Sequence, residues 1–273
     1  MRTAFLRGRD HQQIGRLELE GIEEAAIALS RGGARKTYSY TDPNEDCVAF
    51  AVGDGGRVVI AADGHHGELG SEVAVGAILD GFASDWTAAT TPATSEADWR
   101  AIGIEALLAS NRAILEAAGR NQIPPAPTTF VVSLVRPADD LLLSLSVGDS
   151  HIFAVDTRFA TDLGGPYPDQ KVTPFRGHEE ARPELLARCA QIDVRSPEGL
   201  QAVVLATDGL SEPGIGLPDP AQAVFNAVSR AALDTPAGRR AVDACREVVE
   251  VAMRSHVDQK AGDNMGCSVL WIA

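Results

Sequence analysis

Short apolar runs rich in β-branched residues recur along the chain and predict buried β-strands. The clearest run covers residues 58–62 and ends at Asp63 and Gly64, a pair typical of a sharp turn. Turn-forming residues separate the runs, and Gly53–Gly56 closes a hairpin between two of them. The other predicted strands cover residues 47–52, 128–135, 141–147, 151–155, 202–206 and 266–272.

Longer stretches with apolar residues three or four positions apart predict helices. Ser95 and Asp98 form the pattern of a capping box, so a helix begins there. Strand hairpins alternate with helix pairs, which favours the α+β class over a parallel sheet. We expect a four-layer α-β-β-α sandwich of two antiparallel sheets flanked by helix pairs. The predicted helices cover residues 68–86, 95–119, 183–190, 219–233 and 237–256.

Two parts of the chain have weaker patterns. Residues 1–15 show no periodicity, and residues 17–30 fit either a strand that breaks into a helix or one imperfect helix. Residues 156–200 are irregular and rich in Pro, Gly and charge, which is typical of a flap or another variable segment. No linker divides the chain, so we expect one domain over residues 1–273, with residues 1–30 as an N-terminal extension.

Charge and composition restrict the class of function. A net charge of −14 argues against nucleic-acid or anionic-membrane partners, while it suits a protein that concentrates cations. The four cysteines show no Cys-x-x-Cys spacing and fit reduced, buried thiols. The chain lacks a hydrophobic signal core and any apolar run near the ~20 residues of a membrane span. We therefore expect a cytoplasmic protein.

Candidate chemistry lies in acidic residues at the ends of the predicted strands. A single Asp-Gly or Asp-Asn pair is usually only a turn, but five such acids abut apolar runs. Buried carboxylates repel one another unless a cation compensates them, and oxygen ligands suit Mg²⁺ or Mn²⁺. A metal site is therefore the better interpretation. The five acids are Asp46, Asp63, Asp149, Asp208 and Asp263.

Five motifs resemble, in order, those of the metal-dependent type 2C class of serine/threonine protein phosphatases, especially its bacterial members. The resemblance extends over residues 31–273, and the family fold has two packed antiparallel sheets flanked by helix pairs. The motifs cover residues 41–47 (TDPNEDC), 61–67 (AADGHHG), 147–153 (VGDSHIF), 205–212 (LATDGLSE) and 262–265 (GDNM).

The resemblance implies two Mn²⁺ or Mg²⁺ ions and a third, weaker one. Asp63 would bridge two ions, and Gly64 would add its carbonyl oxygen to one of them. Either Glu45 or Asp46 would help to hold one ion, often through water, and two later acids would hold the other. Asp149 would help to hold the third ion. The implied metal ligands are Glu45, Asp46, Asp63, Gly64, Asp149, Asp208 and Asp263.

The implied reaction is hydrolysis of phosphoserine and phosphothreonine in proteins by a metal-activated water in one in-line step. Asp63 and Asp208 would be catalytic through the metals. His65 matches a histidine proposed in some members as the general acid. The implied partner is a phosphorylated protein, with a serine/threonine kinase acting in opposition.

The sequence departs from the family at the substrate phosphate. The usual Arg before the Glu-Asp pair is replaced by Thr41 or a neighbour, so Arg35 or Lys36 would have to bind the phosphate. His66 and His151 also replace the usual residues of their motifs. Two alternatives stay open: a catalytically weak phosphoprotein-binding module of the same fold, and a phosphatase of small metabolites.

Overall fold

The computed structural model describes residues 1–36, 43–91, 93, 95–164 and 190–273. The helices in these ranges are α1 (Leu69–Gly81), α2 (Ala83–Thr87), α3 (Glu96–Asn121), α4 (Pro220–Asp234) and α5 (Arg240–Gln259). The strands are β1 (Arg2–Arg7), β2 (Leu17–Gly21), β3 (Ala25–Ser30), β4 (Cys47–Val52), β5 (Arg57–Ala62), β6 (Phe130–Arg136), β7 (Leu141–Val147), β8 (His151–Val155), β9 (Ala160–Asp162), β10 (Gln191–Arg195), β11 (Ala202–Ala206) and β12 (Met265–Trp271).

The strands form two six-stranded antiparallel sheets. Sheet A has the order β1-β4-β5-β6-β7-β10, and sheet B has the order β2-β3-β12-β11-β8-β9. Apolar side chains from β3, β5 and β11 fill the space between the sheets. Helices α1 to α3 cover the outer face of sheet A, and α4 and α5 cover that of sheet B. The α+β class and its two antiparallel sheets with flanking helices are confirmed.

The N-terminal residues belong to both sheets, which corrects the expectation of an extension. β1 pairs with β4, and β2 and β3 form a hairpin that pairs with β12. Both interpretations of residues 17–30 are wrong in their helical part, because the segment forms two strands. Every residue of β3 is buried, because sheet A covers one face and α5 the other. A strand buried on both faces lacks the apolar-polar alternation that identifies a strand from sequence.

The predicted helices agree with the structure apart from their ends. The helix expected over residues 68–86 is divided at Phe82 into α1 and α2. The helix expected from residue 237 begins at Arg240 after a short turn. The described part of the 156–200 segment contains β9 and β10, so it is more regular than expected. Residues 183–189 of the helix predicted at residues 183–190 lie outside the described residues, and so does Thr41.

Strand register brings the acidic turns to one rim of the two sheets. In sheet A, Cys47 pairs with Ala62, so the residues just before β4 and just after β5 are neighbours. In sheet B, Ala206 pairs with both Cys267 and His151. The end of β11 therefore lies beside the start of β12 and the start of β8.

Within the described ranges, no helix is long and apolar enough to cross a membrane.

We predict that Ser95→Ala lowers the free energy of unfolding by about 1 kcal/mol. The Ser95 hydroxyl accepts a hydrogen bond from the Asp98 backbone N–H at 3.2 Å, and the Asp98 carboxylate accepts one from the Ser95 N–H. Ser95 is exposed, so the change removes the cap without opening a cavity. Urea unfolding measures the effect, and Ser95→Thr is the matched control. Equal stability of all three proteins would contradict the prediction.

Candidate metal centre and active site

Three carboxylates from different turns converge at this rim. One oxygen each from Asp63, Asp149 and Asp208 lies within 4.8 Å of the others. Asp63 is buried, whereas Asp149 and Asp208 are partly exposed. A group of three oxygen ligands at this spacing can surround a divalent cation. The sequence placed these acids at strand ends, and the folded chain brings them together.

The turn after β5 fixes the position of Asp63. The Asp63 N–H donates to the Thr129 hydroxyl at 3.1 Å. The Asp63 carbonyl oxygen accepts from the Thr128 hydroxyl at 2.7 Å and from the Thr129 N–H at 2.9 Å. These hydrogen bonds fix the backbone of Asp63 at its N–H and at its carbonyl oxygen. Its carboxylate lies with those of Asp149 and Asp208.

Asp149 lies in the connection from sheet A to sheet B. Gly148 has φ 103°, a left-handed value that glycine adopts without strain. An added Cβ at Gly148 would lie 2.7 Å from the side chain of Thr129. The Thr129 hydroxyl also lies 2.7 Å from the Ser150 hydroxyl. Thr129 therefore contacts both the turn with Asp63 and the turn with Asp149.

Asp208 begins a single turn of 3₁₀ helix directly after β11. Its carbonyl oxygen accepts hydrogen bonds from the Ser211 and Glu212 N–H groups, both at 2.7 Å. An added Cβ at Gly209 would lie 1.9 Å from the Asn264 carbonyl oxygen, so only glycine permits this close approach. The approach brings the turn of Asp208 against the turn that precedes β12.

His256 of α5 forms hydrogen bonds with the turn of Asp208 and with the loop that carries Lys36. It is fully buried, and its Nε2 lies 2.7 Å from the Gly209 carbonyl oxygen. Its Nδ1 accepts from the Gly33 N–H at 3.2 Å, so Nε2 carries the proton. Burial lowers the pKa of His256. A neutral imidazole thus joins the loop of Lys36 to the turn of Asp208.

Asp46 and Asp263 lie beside the three converging acids. Asp46 is 1% exposed, and its Oδ2 accepts from the Thr207 hydroxyl at 2.7 Å. Its other oxygen, Oδ1, is buried without a hydrogen-bond partner among the described residues. The Thr207 hydroxyl also accepts from the Gly266 N–H at 2.8 Å. A buried carboxylate oxygen normally has a partner, so Asp46 Oδ1 indicates a cation position.

Glu45 is buried next to Asp46. Its N–H donates to Asn264 Oδ1 at 3.0 Å, and its carboxylate accepts from the Gly67 N–H. An added Cβ at Gly64 would lie 2.7 Å from the Glu45 carbonyl oxygen, so Gly64 permits the contact between these two turns. The structure thus places both members of the Glu-Asp pair at the rim.

Lys36 enters this acidic group, whereas Arg35 does not. Lys36 Nζ lies 2.8 Å from Asp263 Oδ1 and 3.9 Å from Glu45 Oε2. Arg35 is exposed, and its carbonyl oxygen accepts from the Gly262 N–H at 2.9 Å. Of the two basic residues that the sequence offered, the structure therefore brings Lys36 to the carboxylates.

Burial and mutual repulsion shift the acids toward their protonated forms. Burial raises the pKa of Asp63 well above its usual value, and the charge of Asp208 raises it further. Burial and then Asp263 raise the pKa of Asp208 in the same way. Burial raises the pKa of Asp46 to about 7, although the hydrogen bond from Thr207 lowers it.

The same carboxylates raise the pKa of Lys36. For a lysine this favours the charged form, whereas for the acids a raised pKa favours the neutral form. Burial alone lowers the pKa of Lys36, but Asp263, Asp46 and Asp63 outweigh burial and raise this pKa above its ordinary value. The site therefore holds several carboxylates for the one ammonium group, that of Lys36, that the described residues place among them. An all-oxygen donor set with this excess of negative charge fits hard divalent cations such as Mn²⁺ and Mg²⁺.

His65 and His66 form the outer part of the turn after Asp63. The His65 N–H donates to the Pro127 carbonyl oxygen at 2.8 Å, and its ring meets the His66 ring edge-on at 5.6 Å. Burial and then His66 lower the pKa of His65. His66 is exposed with φ 63°, so its side chain lies outside the acidic group.

Sequence reasoning missed the polar residues that hold the acids in place. Thr207 and Thr129 bind carboxylate or backbone groups far away in the chain, and His256 lies within a helix whose pattern is simply amphipathic. Thr207 stands next to Asp208 in its motif, which was the one local signal available. Contacts that span 47 to 161 residues have no counterpart in local periodicity.

Comparisons with known proteins agree on one family. A sequence profile described as Protein phosphatase 2C matches residues 35–245. A search of curated proteins gives no match. Among solved structures, a bacterial serine phosphatase is 16% identical with a TM-score of 0.66, covering 92% of this chain and 98% of that chain.

Two further structures have similar scores. The catalytic domain of the serine threonine protein phosphatase PstP, in complex with two manganese ions, is 20% identical with a TM-score of 0.61, covering 94% of this chain and 99% of that chain. Serine/threonine phosphatase Stp1 from Staphylococcus aureus is 14% identical with a TM-score of 0.61, covering 98% of this chain and all of that chain. These structural likenesses establish the fold, and the profile match spans well over half of the sequence. The chain belongs to the protein phosphatase 2C family.

Proposed function

We propose that the protein hydrolyses phosphoserine and phosphothreonine in other proteins and that it needs divalent cations to do so. The observation that carries the proposal is the convergence of Asp63, Asp149 and Asp208 within 4.8 Å. The buried Oδ1 of Asp46, which has no hydrogen-bond partner among the described residues, lies in the same acidic group. Membership of the protein phosphatase 2C family supports a metal-dependent serine/threonine phosphatase. Such an activity would oppose a protein serine/threonine kinase.

Mn²⁺ or Mg²⁺ is the proposed cofactor, since all candidate ligands are oxygen atoms. We propose that Asp63 would help to hold two ions and that Asp149 would help to hold a third. When bound, such ions lower the pKa of water and neutralise phosphoryl oxygens, as single-step in-line hydrolysis requires. PstP, a structural neighbour, was crystallised with two manganese ions. The remaining proposed ligands are Glu45, Asp46, Gly64, Asp208 and Asp263.

Lys36 is the proposed contact for the substrate phosphate. Its ammonium group lies 2.8 Å from Asp263, and its side chain is 15% exposed, so it reaches the carboxylates while staying open to solvent. Asp263 is also a proposed metal ligand. When Asp263 serves as a ligand, Lys36 can exchange this contact for a phosphate oxygen. Lysine supplies a point charge here in place of the bidentate fork of arginine.

His65 is the proposed general acid, and the structure gives this role less support than those of the carboxylates. The ring lies in the turn directly after Asp63, where it can hold a proton near the leaving alkoxide. Burial lowers the pKa of His65, which disfavours the protonated ring that a general acid requires. Loss of His65 should therefore slow the reaction less than loss of Asp63 or Asp208.

The alternative of a phosphoprotein-binding module without turnover is disfavoured by the same geometry. A module that only binds phosphate has no need for several carboxylates near the ligand, since like charges repel it. This chain has Asp46, Asp63 and Asp208 at the site with raised pKa values. Catalysis with cations explains that arrangement, whereas binding alone does not.

We predict that Asp208→Ala lowers Mn²⁺-dependent release of phosphate from a phosphothreonine peptide by about 100-fold or more, because even an outer partner of a metal ligand costs ~10–100-fold. Wild type should lose activity in EDTA and regain it with Mn²⁺. The matched control is Asp219→Ala, which removes an exposed helix N-cap and leaves the site intact. A folded wild type that binds Mn²⁺ but releases no phosphate from peptides would overturn the proposed function.

We predict that Lys36→Met raises KM for the phosphopeptide by about 10-fold, the equivalent of one lost charged hydrogen bond of roughly 1.5 kcal/mol. Arg35→Met is the matched control, because Arg35 is the neighbouring basic residue and is exposed. Steady-state kinetics at saturating Mn²⁺ separates KM from kcat. If Arg35→Met raises KM and Lys36→Met does not, the phosphate-binding assignment is wrong.

We predict that without metal the free energy of unfolding decreases as pH rises from 6 to 8.5. The folded pKa of Asp46 is about 7 against 3.8 for an ordinary Asp. The folded state therefore binds the extra proton, and its stabilising effect is lost as pH rises through about 7. The difference between wild type and Asp46→Asn in EDTA isolates this group.

Saturating Mn²⁺ should reverse the trend, because metal binding displaces protons and is favoured at higher pH. Urea unfolding at several pH values measures both slopes. A metal-free stability that increases over this range in wild type, with the same slope in Asp46→Asn, would contradict the assignment.

A further inference from the structure

A histidine bridges two groups beside the proposed metal ligands. His151 Nε2 lies 2.6 Å from the Ser211 hydroxyl, and His151 Nδ1 lies 2.6 Å from Asp162 Oδ2. A carboxylate only accepts, so Nδ1 carries the proton, and Nε2 of a neutral ring accepts from Ser211. The ring also stacks on Phe153 at 5.2 Å. His151 is therefore held on three sides.

The bridge joins three separate elements. His151 begins β8, Asp162 ends β9, and Ser211 follows the 3₁₀ turn after β11. Asp162 is fixed as well, since its Oδ1 accepts from the Ile152 N–H at 3.2 Å and from the Gly164 N–H at 3.0 Å. His151 is 8% exposed, so water competes little for its hydrogen bonds.

The two bridged turns are those that carry Asp149 and Asp208. His151 follows Asp149 by two residues, and Ser211 follows Asp208 by three. The Ser211 N–H donates to the Asp208 carbonyl oxygen at 2.7 Å, so a shift of Ser211 shifts Asp208. Since Asp149 and Asp208 have oxygens within 4.8 Å of each other and of Asp63, the bridge spans the proposed cation position.

The order of aspartate, histidine and serine also occurs in serine hydrolases, but the backbone here argues against a nucleophilic serine. Such enzymes use backbone N–H groups at or next to the nucleophile to bind the oxyanion. The N–H groups of Ser211 and Glu212 both donate to the Asp208 carbonyl oxygen instead. They hold the turn in place and do not face a substrate.

We propose that His151 is a positioning residue that sets the separation of Asp149 and Asp208 and thereby the affinity of the cation position they share with Asp63. This inference rests on the metal dependence in the proposed function. The three-way bridge from Asp162 through His151 to Ser211 acts on the ligands from outside. Outer partners of metal ligands typically change metal affinity by ~10–100-fold when removed.

The test measures Mn²⁺ binding by isothermal titration calorimetry, so it does not depend on turnover. We expect Ser211→Ala and His151→Ala to weaken the Mn²⁺ site that depends on Asp149 by about 10-fold or more. Ser211→Thr, which keeps a hydroxyl, should restore most of the affinity. Ser133→Ala is the control, because it removes a different hydroxyl, one that is buried within sheet A and pairs with Ser144.

A double-mutant cycle separates positioning from a general loss of stability. In an Asp149→Asn background, Ser211→Ala should change Mn²⁺ affinity by less than about twofold, because the separation no longer matters. Because Ser211 is partly exposed, we expect Ser211→Ala to stay folded. Its Mn²⁺ affinity can therefore be measured even if His151→Ala unfolds. Thermal unfolding confirms that each variant is folded.

Three outcomes overturn the inference alone. The first is wild-type Mn²⁺ affinity in folded Ser211→Ala, and the second is an equal loss in Ser133→Ala. The third is an effect of Ser211→Ala on Mn²⁺ affinity that is as large in the Asp149→Asn background as in wild type. A wild type that binds no Mn²⁺ overturns both this inference and the proposed function. A wild type that binds Mn²⁺ with the expected variant effects, but does not dephosphorylate peptides, overturns the proposed function alone.

Discussion

Repulsion between buried carboxylates is the constraint on which the rest of this structure depends. Asp46, Asp63 and Asp208 lie together although Asp208 and Asp46 raise the pKa of Asp63, and Asp46 raises that of Asp208. No attraction among them gathers these groups, so the fold must impose their positions. The two sheets do so, because strand register places the ends of β5 and β11 and the starts of β4, β8 and β12 at one rim. The stability of the apolar sandwich offsets the electrostatic cost at its edge.

Small polar side chains fix the positions of the acids relative to the strand ends by hydrogen bonds. Thr129 contacts the turn of Asp63 and the turn of Asp149, and Thr207 joins Asp46 to the start of β12. A hydroxyl both donates and accepts, so one side chain can hold two chain segments at a fixed distance. Rigid outer partners of this kind keep ligand oxygens at the spacing a small hard cation requires. The precision of the site thus comes from groups that are not ligands themselves.

The sequence predicted this arrangement as far as local pattern reaches. Apolar runs that stop at Asp63 and Asp208 located the strand ends, and the resemblance over five motifs supplied the order of the acids. β3 was not identified, because burial on both faces removes the alternation that marks a strand. The contacts of Thr207 and His151 join residues that are distant in sequence, so local pattern does not show them. Only the folded loop shows that Lys36, and not Arg35, reaches the carboxylates.

The presence of a lysine and not an arginine at position 36 fits the same repulsion between carboxylates. An ammonium group 2.8 Å from Asp263 and 3.9 Å from Glu45 compensates part of the negative charge as a compact point charge. Arginine would favour a planar, bidentate pair with one carboxylate and would hold it more firmly. A lysine can leave its carboxylate partner and contact a phosphate oxygen with little geometric demand. In the proposed function, Lys36 would stabilise the acidic group before ligands arrive and then contact the substrate phosphate. The loop that carries it is fixed by Gly262 and His256, so the position of Lys36 depends on the same rim as the acids.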